Sequence, residues 1–363
     1  MNALTPSLTS FSYQRQRLGK QGTDAPQVLH DIIGVYSWHP SAPLSLLARV
    51  KNFKVEDFYK LDSEKQAYRV PAMRLSNYML HSDSAFKIMS AVVPLPDDMI
   101  WVKRYTNAAR IIPAELYPDW KSKILKLTDS PLESSDIKKV VNIPDISLKP
   151  TLNRMAFEGQ LLRFGSKNLR SNIISYVSTK SFTGDNYKTI EPDKALSWLA
   201  GEYLRAFGPI RIKDFQWWAG ITVRRAKAAI AQFDTIDIGD GLLLLKNDIK
   251  EFEKVKPLTN DKIDIIPQWD SYTMGYAPDG RGRFVSPEIQ HHVYGDIGAT
   301  GGNGLGLILL NGYAAGVWEP KFTGETLKIK LNMFEKPNKK ITEKMNEGFN
   351  EVGWFLGAKK VVV

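Results

Sequence analysis

The sequence predicts an α+β protein built from tandem winged-helix units followed by a small C-terminal β-barrel. Three observations predict it. The middle of the chain carries a diverged internal repeat, each copy reads as three helices and a hairpin, and the stretch beyond Pro257 changes to short strands rich in glycine.

The repeat comes first. Ser130-Pro131-Leu132 with Asp136, Ile137, Val140 and Ile143 aligns with Gly208-Pro209-Ile210 with Asp214, Phe215, Trp218 and Ile221. Proline falls on proline, aspartate on aspartate, and apolar residues fall on apolar residues at helical spacing. The spacing predicts a first helix near 118–127 and 193–207, and a second near 134–141 and 212–219. A turn follows at Asn142 or Gly220, and a third helix near 148–158 and 222–233, the latter capped by Thr222. Two short apolar runs around a Gly-containing turn close each copy: 161–164 with 173–177, and 236–238 with 242–245. These read as hairpins. Three helices and then a hairpin is the plan of a winged helix, whose third helix can enter the major groove while the hairpin touches the backbone.

The remaining segments divide around these copies. Residues 1–112 hold helices and a hairpin near 68–73 and 76–81, a third and more diverged winged-helix-like domain. The repeat copies occupy 113–190 and 191–258. Residues 259–363 are expected to form the barrel, with strands near 272–276, 307–310, 314–318 and 327–331. A terminal helix over 338–356 carries Ile341, Met345, Phe349 and Val352 on one face.

Composition bounds the function. The chain has 363 residues, 49 Lys and Arg against 39 Asp and Glu, and a net charge of +10. The excess points to a polyanionic partner, with double-stranded DNA the first choice. Cysteine is absent, which excludes disulfides and thiolate metal sites. The first twenty residues lack the apolar run of a signal peptide, and no apolar run is long enough to span a bilayer. A cytoplasmic monomer with no membrane attachment is expected.

The candidate binding residues are cationic. Arg224, Arg225 and Lys227 lie on the third helix of the second copy, and Arg163, Lys167 and Arg170 around the hairpin of the first. Arg69 and Arg74 lie on the N-terminal hairpin. Phosphate contacts are the expected role of all eight. Phe215, Trp217 and Trp218 read mainly as core. The glycines from Gly298 to Gly306 read as a loop between strands, without the following helix that a phosphate site needs. His291 and His292, adjacent in what reads as a strand, would point apart. No metal and no cofactor are expected.

Several stretches together resemble one family. They are Arg69-Val70-Pro71-Ala72-Met73-Arg74 leading to Leu80-His81, and Tyr203-Leu204 with Gly208-Pro209. Asp214-Phe215-Gln216-Trp217-Trp218-Ala219-Gly220, Trp269-Asp270-Ser271-Tyr272 and Gly316-Val317-Trp318 extend the likeness over nearly the whole chain. They resemble the winged-helix DNA glycosylases of the AlkZ/YcaQ type. The resemblance implies a concave DNA-binding face and excision of alkylated or crosslinked bases from double-stranded DNA, without metal or organic cofactor. It also implies an active-site motif of Gln, a spacer, then Gln or Asp, that would place a water against a developing oxocarbenium ion. Here the matching stretch is Gly34-Val35-Tyr36-Ser37-Trp38-His39. Tyr36 and Trp38 stand where the polar pair belongs, which makes Tyr36, Trp38 and His39 the candidate catalytic residues, with Asp31 a possible stand-in base. Two readings follow: a monofunctional glycosylase with an atypical site, and a non-catalytic DNA binder acting as a lesion sensor or regulator.

Overall fold

The computed structural model describes residues 5–94, 111–301 and 304–363. The two repeat copies take the same order of elements. The first has helices Tyr117–Leu127, Ser134–Val141 and Asp145–Phe157. The second has Pro192–Phe207, Ile212–Ala219 and Val223–Ile230. Each second helix ends on a left-handed residue, Asn142 (φ 53°) and Gly220 (φ 74°). At Gly220 the glycine is required twice over, because a Cβ there would also stand 3.0 Å from the Arg74 Cα. Thr222 caps the last helix, its hydroxyl accepting from the Arg225 backbone N–H at 3.3 Å. The Asp145–Phe157 helix starts earlier than its apolar spacing suggests and keeps Pro150 inside it.

Strands complete each unit in the same way. In the N-terminal part and first copy these are β1 (Val35–Tyr36), β2 (Ala67–Pro71), β3 (Asn77–His81), β4 (Leu132–Glu133), β5 (Leu161–Phe164) and β6 (Ser175–Ser178). They form one sheet in the order β1-β3-β2-β5-β6-β4. The second copy has its own hairpin, β7 (Thr235–Asp237) with β8 (Leu243–Leu245). Leu132 pairs with Tyr176, and the aligned Ile210 pairs with Leu243, so both copies add the chain before their second helix to the far strand of the hairpin. The join between the N-terminal hairpin and the first copy is one residue pair, Arg69 opposite Arg163.

The C-terminal part is a five-stranded sheet of β9 (Ile263–Ile266), β10 (Gly306–Leu310), β11 (Tyr313–Thr323), β12 (Thr326–Met333) and β13 (Lys360–Val362), in the order β13-β12-β11-β10-β9. Its ends do not pair with each other, so the expected barrel is open, half a barrel at most. The helix Lys339–Phe355 packs on it through Ile341, Met345, Phe349 and Val352, as its spacing predicts.

Three local expectations fail here. The segment around Tyr272 is a short helix, Ser271–Met274, and not a strand. Asp270 caps it, accepting from the Tyr272 N–H at 2.9 Å, and this cap outweighs the β preference of the aromatic residues. Gly298 and Gly301 belong to the helix Gln290–Gly301, broken at Gly295 (φ 60°), and not to an interstrand loop; Gly302 lies outside the described residues. His291 and His292 sit in that same helix with ring centroids 3.8 Å apart, so they do not diverge as strand neighbours would.

The ends of the chain share a core. Val28, Leu29, Leu46 and Phe58 pack in one cluster with Trp318, Phe349 and Val352. A buried bidentate pair, Arg49 to Asp270 at 2.7 Å on both arms, ties the same two regions together. Among the described residues no helix is long and apolar enough to cross a membrane.

Candidate nucleic-acid site

A pocket opens over the sheet where β1, β2, β3 and β5 meet the 165–174 connection. Tyr36, Trp38, His39, Arg69, Asn77, Arg163, Asn172 and Ile173 are among its lining residues. Strand alternation explains the convergence. Arg69 faces Met79 on β3 and Arg163 on β5, and Asn77 lies two residues from Met79, so Arg69, Asn77 and Arg163 share a face.

Two like charges directly opposite one another are destabilising unless compensated. Arg69 is compensated by Asp62, with Nη2 to Oδ2 at 2.7 Å and Nε to Oδ1 at 3.1 Å. Arg163 donates to the side-chain oxygens of Asn77 and, at 2.9 Å, Asn153. The two arginines are only 3% and 4% exposed. The expectation that they meet phosphates therefore fails. Their guanidiniums are committed inside the protein, where they build the pocket wall.

His39 is 2% exposed. Its Nε2 faces Arg69 Nη1 at 3.4 Å and its Nδ1 faces the Asn168 carbonyl at 3.5 Å. A guanidinium only donates, so Nε2 accepts and the proton sits on Nδ1. Burial first, and the Arg69 charge second, push the imidazole pKa down to about 4. At neutral pH the ring is uncharged and both nitrogens are engaged, which leaves it poorly placed to take a proton from water. Its backbone is clamped by Asn172, whose side chain accepts from the His39 N–H at 2.8 Å and donates to the His39 carbonyl at 2.9 Å.

The aromatic members divide. Tyr36 packs against Tyr78 and Trp269, with centroids at 5.8 and 5.1 Å. Trp38 meets Trp269 edge-on at 6.1 Å yet stays 45% exposed at the pocket mouth. Asp31 is not part of this lining; it accepts from Arg17 at 2.7 Å and Gln27 at 2.8 Å. Among the described lining residues none is Asp or Glu. No group of three or more His, Cys, Asp or Glu gathers in a metal-binding arrangement among the described residues.

The other six predicted cations stay at or near the surface. Arg74, Lys167, Arg170, Arg224 and Lys227 are exposed and Arg225 half-exposed. Arg74 lies over the Trp217 ring at 4.3 Å. Arg170 lies over Phe322 at 4.4 Å, and Arg225 pairs with Asp193 at 3.1 Å. Phe215 and Trp218 are core as expected, while Trp217 is partly exposed beneath Arg74.

The sequence profile described as DNA glycosylase AlkZ-like matches residues 27–349. The chain belongs to the AlkZ-like DNA glycosylase family. No curated protein sequence matches it. Among solved structures, the Streptomyces sahachiroi DNA glycosylase AlkZ is similar in fold, with a TM-score of 0.75 at 18% identity over 100% of this chain and 99% of that one. Membership implies DNA as the substrate.

Within this AlkZ-like frame, sequence reasoning missed Asn172, Asn77, Asp62 and Ile173. The run Gly165-Ser166-Lys167-Asn168-Leu169-Arg170-Ser171-Asn172 held the one available signal. It is dense in Ser and Asn, residues whose side chains hold turns by bonding to nearby backbone.

Proposed function

We propose that this AlkZ-like protein binds double-stranded DNA and takes an unpaired nucleobase into the pocket beside Trp38, without the water-activating chemistry of its family. The observation that carries this is the pocket's inventory. Two buried arginines, a neutral histidine with both nitrogens engaged and amides committed to the backbone or to Arg163 line it, and no carboxylate joins them. The exposed Trp38 can stack on the face of a base. Nothing in the lining matches the carboxylate or free amide that would position a water and stabilise an oxocarbenium ion.

The exposed cations supply affinity in this reading. Arg74, Lys167, Arg170, Arg224, Arg225 and Lys227 contact phosphates, so binding is salt-dependent and largely independent of sequence. The three helix–hairpin units, over 1–112, 113–190 and 191–258, act as winged helices, and the protein works as a monomer in the cytoplasm. Family membership favours a second reading. A cationic alkylated base leaves readily, so the pocket could release it without a strong base, and alkylated or crosslinked duplex would then be the substrate.

Base release decides between them. With duplex carrying N7-alkylguanine, the expected result is binding with release no faster than in protein-free DNA. Release faster than in protein-free DNA would overturn the proposal in favour of the second reading.

A further inference from the structure

Ile173 is 54% exposed although it lines the same pocket mouth as Trp38. It does not sit on a loose loop. The neighbouring Asn172 side chain makes the two-way clamp on the His39 backbone, at 2.8 and 2.9 Å. The Ile173 N–H donates to Ser171 Oγ at 3.3 Å, and Ser171 N–H to the Asn168 carbonyl at 2.9 Å. Arg170 N–H donates to Asn168 Oδ1 at 2.9 Å. Leu169 is buried, and the Arg170 guanidinium reaches the Gly324 carbonyl at 3.3 Å. A pinned backbone thus holds a β-branched, χ1-stiff apolar side chain out in water, on the lining of the pocket that Trp38 also lines.

We infer that Ile173 is a wedge: it enters the base stack of duplex DNA at the gap left when a nucleotide moves toward Trp38. Apolar side chains inserted between base steps are a general device for unstacking a duplex, and a stiff, pre-positioned one loses little freedom on insertion. The occupant is DNA because Lys167 and Arg170, exposed on the same loop, offer charge to the flanking phosphates. The inference rests on the functional reading above, but the two side chains do different work. Trp38 needs a base to stack on. Ile173 needs only a gap.

That difference makes the test. Affinities of the full chain are measured for intact duplex, for duplex with one abasic tetrahydrofuran nucleotide, and for duplex with one unpaired base. Wild type is expected to prefer the abasic duplex over the intact one by on the order of tenfold. Ile173→Ala should erase that preference and leave affinity for intact duplex and the salt slope unchanged, and Ile173→Met should restore it. Trp38→Ala should keep the abasic preference and lose the preference for the unpaired base. If Ile173→Ala binds abasic DNA as wild type does, or wild type shows no abasic preference, the wedge is overturned while stacking by Trp38 stands or falls on its own arm. If wild type self-associates and Ile173→Asp makes it monomeric with DNA binding intact, the residue covers a second copy instead, and the wedge is again overturned.

Discussion

The two repeat copies are alike in sequence and in element order, yet Arg163 of the first is buried while Arg224 of the second is exposed. In the first copy, β5 is absorbed into a six-stranded sheet and Arg163 is buried beside Arg69. In the second, β7 and β8 stand as a separate hairpin, and Arg224 and Lys227 face solvent on the helix before it. One copy uses a cation to build a pocket, and the other leaves Arg224 and Lys227 in solvent. The pattern that identifies a unit does not say which of its faces a neighbour will cover.

The largest effect that separates the pocket from the second copy is on stability. Arg69→Ala strips a mostly buried Asp62 of its partner, and breaking such a pair costs about 3–5 kcal/mol. Urea unfolding should show that loss, whereas the double change Arg224→Ala and Lys227→Ala should leave stability within about 0.5 kcal/mol. The same double change should flatten the log–log salt dependence of DNA binding by about two units. An unfolding curve for Arg69→Ala that overlays wild type would break the contrast.

Next in size is a pH effect from the pocket. The His39 pKa is about 4 in the folded protein against 6.5 for the ordinary group, so the unfolded chain binds the proton more readily. Its contribution is fully present above about pH 6.5 and is lost as pH falls toward 4, by roughly 3 kcal/mol. His39→Gln should lack this component. Identical stability-versus-pH curves for the two proteins between pH 4 and 7 would show that the ring is not held neutral.

Much of the fold was legible because local rules governed it. The helices Ser134–Val141 and Ile212–Ala219 and the strand Leu161–Phe164 fall where periodicity and turn residues put them. Failures came where distant contacts decided. Tyr272 reads as strand, but Asp270, held by Arg49 from far along the chain, caps a helix there. At the site, the stretch Tyr36-Ser37-Trp38-His39 was legible by its likeness to a motif. The burial of Arg69 and Arg163 was not, because one cross-strand pair between two units creates it. Asn172 was missed for the same reason: its partner is the backbone of His39, and backbone has no sequence signature.

The central claim is that the pocket holds an unpaired base against Trp38. The most direct measurement compares wild type and Trp38→Ala for the ratio of affinities between duplex with one unpaired base and intact duplex. Stacking on one aromatic ring is worth roughly 1–3 kcal/mol, so wild type should prefer the unpaired base by about 5- to 150-fold and Trp38→Ala should bring the ratio near one. A wild-type ratio near one, or a ratio that Trp38→Ala leaves intact, would contradict it.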